Sequence, residues 1–148
     1  MHYWGNKKIL KLNKTAFLCS QKCPAEVVLK SYDWAKEQRK QGNCIICGNH
    51  SQIEKDVFEI LLKGKQPLIL VLPRSLKKRW EPEILNAINQ NRLLVISPFS
   101  EGHSRITREN AIQKNKTIIS LGNDIVVGYK TKNGQLDNLL KHSVYEQL

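Results

Sequence analysis

The chain has 148 residues, enough for one domain around one core, and at 41% hydrophobic and 25% charged it has a globular rather than a disordered composition. Its 24 Lys and Arg against 13 Asp and Glu give a net charge of +11, spread along the chain. Such a field favours polyanions: nucleic acid, nucleotides or acidic headgroups. The longest apolar run, Leu68 to Leu72, is too short to span a membrane, and the opening residues carry no apolar signal segment, so the cytoplasm is the expected address.

Residues 1–13 read as an N-terminal arm, and residues 15–19 as the first strand. After Pro24, the helical spacing of Val27, Val28, Tyr32, Trp34 and Ala35 predicts a helix that Gly42 ends. Residues 44–47 form the second predicted strand. A helix with Ile53, Val57, Ile60 and Leu61 on its apolar face follows. The third strand is 68–72. Trp80, Ile84, Leu85 and Ile88 then mark a helix with Pro82 near its first turn. The fourth strand is 92–97, a helix covers about 107–121, the fifth strand is 124–129, and a last helix runs from Gln135 towards the C-terminus.

Strands alternating with helices predict an α/β chain: a single Rossmann-like domain, 1–148, built on a doubly wound parallel sheet of five or so strands with helices on both faces. The economical order of the predicted strands is 3-2-1-4-5, which places the reversal between the first and the fourth. Ligands of such sheets bind outside the carboxyl ends of the strands. Those ends supply the candidates. Ser20, Gln21 and Lys22 can cradle a phosphate, Gly48 lets a backbone approach an anion, and Asn49 and His50 follow it. Arg74 ends the third strand. Arg105, Arg108 and Lys114 recur at intervals that suggest one basic face.

Other features read as structure. Lys77, Lys78 and Arg79 form a solvated run, Trp34 and Trp80 belong to helical apolar positions, and Tyr3 and Trp4 staple the arm or stack on a base. Cys19-x-x-x-Cys23 and Cys44-x-x-Cys47 imitate a zinc ribbon. Residues three apart on a strand face opposite sides, however, so free buried thiols are expected, with no metal site and no disulfide.

In order along the chain stand Tyr3-Trp4-Gly5-Asn6 with Ile9-Leu10, then Cys19-Ser20-Gln21, then Ile45 to Gly48 with Ile53-Glu54. Val71 to Arg74, Val95 to Pro98, Asn110-Ala111, Lys114-Asn115-Lys116, Ile118-Ile119 and Asp124 to Val127 complete the series. This series resembles the core of the DprA/Smf DNA-processing proteins. The resemblance spans nearly the whole chain, with departures: a Gly-Ser-Arg becomes Cys19-Ser20-Gln21, a Gly-Ile-Asp becomes Gln52-Ile53-Glu54, and an Arg-Asn becomes Lys114-Asn115. It implies Asn110, Lys114 and Asn115 as site residues. It also implies binding of single-stranded DNA by phosphate contacts, in DNA uptake, transformation or recombination, with a recombinase or other protein as partner.

Two further readings stand beside it. Related Rossmann-like proteins include enzymes acting on nucleotide derivatives, but their Pro-Gly-Gly-x-Gly-Thr loop does not occur here. Neither does a Gly-x-Gly-x-x-Gly or P-loop motif, so no cofactor is expected. The altered site also fits a degenerate homologue acting in protein interaction, as a homodimer through its last helix. Four scattered histidines assemble no nucleophile–base pair, and a non-enzyme is expected.

Overall fold

A computed structural model describes all residues, 1–148. One seven-stranded sheet runs through it, in the order β1-β5-β4-β3-β2-β6-β7. The strands are β1 (His2–Gly5), β2 (Lys14–Leu18), β3 (Cys44–Cys47), β4 (Leu68–Val71), β5 (Leu93–Ser97), β6 (Asp124–Val127) and β7 (Glu146–Gln147). The helices are α1 (Ala25–Gln41), α2 (Gln52–Leu62), α3 (Pro82–Asn89), α4 (Arg108–Leu121) and α5 (Gln135–Leu139). All strand pairs are parallel except β1 with β5, where Tyr3 faces Ile96 and Trp4 faces Val95.

Period-two alternation divides the core into two layers. Phe17, Ile45, Cys47, Leu68, Leu70, Leu93 and Val95 pack against Ala35 of α1, Val57 and Leu61 of α2, and Ile84 of α3. Their neighbours Ala16, Leu18, Ile46, Ile69, Val71, Leu94 and Ile96 pack against Ile118 of α4 and against Leu136 and Leu140 at α5. The apolar side chains of α5 are thus used inside the chain. Three helices cover one face, and α4 and α5 cover the other.

The five expected strands are present and parallel, but their order differs from expectation. In the same numbering they run 4-3-2-1-5. The fourth strand, β5, adds beside β4, because α3 packs on the same face as α1 and α2 and continues their winding. The chain crosses to the other face only through α4, which returns it to β2, so the reversal lies between β2 and β6. Residues 1–13 are not a free arm: β1 closes the far edge of the sheet, and a 3-10 turn, Lys7–Lys11, carries the chain to β2. Gly5 has φ +108°, and a Cβ there would stand 2.3 Å from the Leu93 carbonyl oxygen, so the turn out of β1 requires glycine. The last helix stops at Leu139, and the chain ends on the short strand β7.

Buried polar groups hold the amino ends of the strands. Arg92, just before β5, donates through Nη2 to the carbonyls of Leu62 (2.6 Å) and Gly64, closing the end of α2. Lys14 donates through Nζ to the carbonyls of Leu10 and Leu12, each at 2.8 Å. No helix is long and apolar enough to cross a membrane.

Cys44 and Cys47 fall in opposite core layers, as alternation requires. Burial pushes the Cys19 thiol up to about 12, with the Cys23 sulfur adding to it, and pushes Cys44 up to about 11, partly offset by the Lys14 charge; Cys47 is raised further still. A disulfide thiol reagent at neutral pH is therefore expected to modify only half-buried Cys23 in the native chain, and all four cysteines after denaturation. Rapid native labelling of Cys44 or Cys47 would contradict their placement in the sheet.

Candidate functional site

The strand reversal opens a cleft of about 380 Å³ at the carboxyl ends of β2 and β6. Four segments form it: the turn after β2 (Cys19, Ser20, Gln21), the start of α2 (His50, Ser51, Glu54), the start of α4 (Thr107, Arg108) and the loop after β6 (Thr131, Gly134, Gln135). The turn after β2 is tied to the loop after β6. Ser20 donates its N–H to the Tyr129 carbonyl at 2.8 Å, and its hydroxyl accepts from Thr131 N–H at 3.2 Å.

An ion pair lies at the floor. Lys114 Nζ stands 3.0 Å from Glu54 Oε1, with the two residues 1% and 2% exposed. The same oxygen accepts from the His50 and Ser51 N–H groups, each at 3.2 Å, while the Ser51 hydroxyl accepts from Glu54 N–H. This capping box takes up the N–H groups of His50, Ser51 and Glu54. Glycine at 48 makes room for the pair, since an added Cβ would stand 2.7 Å from Lys114 Nζ.

The start of α4 forms the facing wall. Thr107 caps α4 by accepting from Asn110 N–H at 3.1 Å, which leaves the N–H groups of Arg108 and Glu109 without intrahelical partners beside the cleft. Asn115 is buried, its Oδ1 has no partner, and it lines the cleft. Arg108 lies exposed at the mouth. Gln21 Nε2 is 3.1 Å from His50 Nε2, which suits an unprotonated acceptor nitrogen. Burial lowers the His50 pKa from its ordinary value, and the charges of Lys114 and Lys55 add to this against the opposing Glu54. The Cys19 thiol at the wall is held protonated at neutral pH and is no nucleophile. The arrangement offers hydrogen-bond donors and positive potential to an anionic, polar ligand.

Six of the twelve residues singled out from the sequence line this cleft: Ser20, Gln21, His50, Arg108, Lys114 and Asn115. Gly48 lies beneath Lys114, and Lys22 and Asn49 lie on the adjoining turns outside the lining. Arg74 lies elsewhere, because β4 is two strands from β2; its Nε donates to the Ser75 carbonyl at 3.2 Å. Arg105 precedes α4 and shares no helix face with Arg108, and its carbonyl accepts from Asn110 Nδ2 at 3.2 Å, so Asn110 secures the start of the helix. Lys114 does not share one basic face with Arg105 and Arg108, because α4 turns it inward onto Glu54 at the floor of the cleft. Glu54 itself was missed as a site residue, although Ser51-x-x-Glu54 is a readable capping signal. Thr107, Thr131 and Gln135 carried no comparable signal.

Solved structures share this fold. DNA processing protein A from Helicobacter pylori, described for its single-stranded DNA binding mode, superposes with a TM-score of 0.71 at 19% identity, covering 93% of this chain and 65% of that one. DprA from Streptococcus pneumoniae gives a TM-score of 0.67 at 18% identity, covering 99% and 62%. The chain thus has the Rossmann-like fold of these proteins and spans under two thirds of their length. No protein-family model and no curated protein sequence matches it.

Removing one partner of a buried ion pair leaves the other charge uncompensated, at a cost of about 3–5 kcal/mol. Lys114→Met is expected to lower unfolding stability by that order, and the double variant Lys114→Met, Glu54→Gln by clearly less than the two single losses added together. Strict additivity in denaturant titrations would mean that the two side chains do not depend on each other.

Proposed function

We propose that the chain binds single-stranded nucleic acid, DNA in the first place, and catalyses no reaction on it. A backbone phosphate sits in the β2/β6 cleft against the first turn of α4, with Arg108 at its mouth and Lys114 at its floor. The observation that carries the reading is the cleft itself: a polar pocket at the strand reversal, open to the N–H groups at the start of α4 and with Arg108 at its mouth. The net charge of +11 supports it independently. Burial of the Cys19 thiol and pairing of Lys114 with Glu54 make neither side chain an activated nucleophile, in keeping with a binding role. The similarity in fold to a protein described as binding single-stranded DNA points the same way. A part in DNA uptake or recombination, with a recombinase as partner, is the wider form of this reading.

Binding measured by fluorescence anisotropy with single- and double-stranded oligonucleotides across a salt series is the direct test. Single strands are expected to bind more tightly, and Arg108→Ala to lower affinity with little dependence on base sequence. The variant should also reduce the salt slope by roughly 0.7, the single-strand value for one phosphate contact. A folded Arg108→Ala chain with unchanged affinity and slope would remove the cleft from the reading.

His50 supplies a pH dependence. Its pKa is lowered in the free chain, chiefly by burial and then by Lys114. An anion in the cleft opposes that effect and raises the pKa, so the complex binds more protons than the free chain. Affinity is therefore expected to rise on acidification, and His50→Gln to flatten the profile. Affinity that weakens on acidification would contradict a phosphate beside His50.

A further inference from the structure

A second groove lies beside the edge strand β1. Trp4 of β1 and Trp80 stack with ring centroids 4.9 Å apart and planes 29° from parallel. Both indoles are only half-buried and line the groove together with Tyr3, Lys77, Lys78 and Arg79. None of the lining residues is acidic, and Glu81, next in sequence, already bridges Lys77 at 3.4 Å. Lys77 Nζ stands 5.0 Å from the centre of the Trp80 ring, and Lys7 Nζ 4.5 Å from that of Tyr3. Lys78 and Arg79 are exposed. The third tryptophan, Trp34, is separate and stacks on Phe17 of the core at 5.0 Å.

We infer that this groove is a second subsite for single-stranded nucleic acid, in which the Trp4–Trp80 pair receives a base and Lys78 and Arg79 meet the flanking phosphates. Aromatic surface interleaved with unpaired cations suits a single strand, which offers both stackable bases and charge. An acidic peptide matches the charge but not the aromatic surface, and an apolar partner matches neither Lys78 nor Arg79. The position fits as well. The segment carrying Trp80 follows the carboxyl end of β4, the end of the strands at which the cleft lies, and Trp4 faces Val95 of β5. Between β2 and β1 lie four strand steps, roughly 19 Å at ~4.8 Å per step, with Arg74 at the end of β4 between them. A strand held in the cleft can therefore reach the groove, and joining the two contacts raises affinity through effective concentration. This bridging arrangement rests on the function proposed above.

The test compares oligothymidylates of about four and about twelve nucleotides on the full chain, read by anisotropy and tryptophan fluorescence. The long strand is expected to bind more tightly and to quench emission, with the quench reduced in Trp80→Leu. The variant Lys78→Ala, Arg79→Ala disturbs no packing; it should weaken the long strand roughly five- to fiftyfold and leave the short one almost unchanged. Unchanged long-strand affinity in both groove variants, with loss in Arg108→Ala, overturns this inference and leaves the cleft standing. Loss in the groove variants with Arg108→Ala unaffected upholds the groove and overturns the cleft. If the parent sediments as a dimer that the groove variants dissolve, with DNA binding intact, the groove is a contact between copies and the inference fails.

Discussion

A single buried ion pair joins the two faces of the sheet. Glu54 belongs to α2 on one face, Lys114 to α4 on the other, and they meet at 3.0 Å beyond the carboxyl end of β3, where Gly48 leaves space for the ammonium. Two charges removed from water are tolerable only when each is paired and hydrogen-bonded. Glu54 meets that condition through its two backbone donors, and Lys114 through Glu54. The geometry of the cleft follows from this contact. It ties α4 to the start of α2 across the carboxyl end of β3.

The same pair decides what the cleft can hold. The capping box takes up the N–H groups of His50, Ser51 and Glu54, while at α4 the N–H of the lining residue Arg108 has no intrahelical partner. Lys114 makes one hydrogen bond and retains donors for a second acceptor. With its charge balanced by Glu54, the floor is polar without a large uncompensated field, and the excess positive charge lies outside, on Arg108 and the loops. Such a division favours a ligand that is anionic where it meets the mouth and hydrogen-bonding where it enters. A nucleotide within a strand has that character.

The fold was largely legible because its strands are short apolar runs between clear stops. Cys44 to Cys47 and Leu68 to Val71 read directly as strands covered on both sides, and Gly42 ends α1 as expected. Strand order was not legible. Nothing in Leu93 to Ser97 states on which side of the sheet it adds; that depends on which face α3 covers, a tertiary matter. The edge strand β1 was hidden for a different reason, since four residues with two half-buried aromatics on opposite faces give no alternation to read. In the candidate site, Ser20 and His50 followed from their places after strands. Lys114 was legible from the resemblance but not from the spacing of basic residues. The inner face of α4 buries Lys114, Asn115 and Thr117 beside Ala111 and Ile118, so a polar sequence pattern concealed a buried surface.

Binding through the cleft is most directly tested by following backbone amides and the Asn115 side-chain amide by nitrogen-15 NMR during titration with a short single-stranded oligonucleotide. Concerted, saturable shifts at Ser20, His50, Arg108 and Asn115 are expected. Shifts confined to the opposite edge of the sheet, around the basic residues Arg39, Lys63 and Lys65, with the cleft signals unmoved, would contradict it.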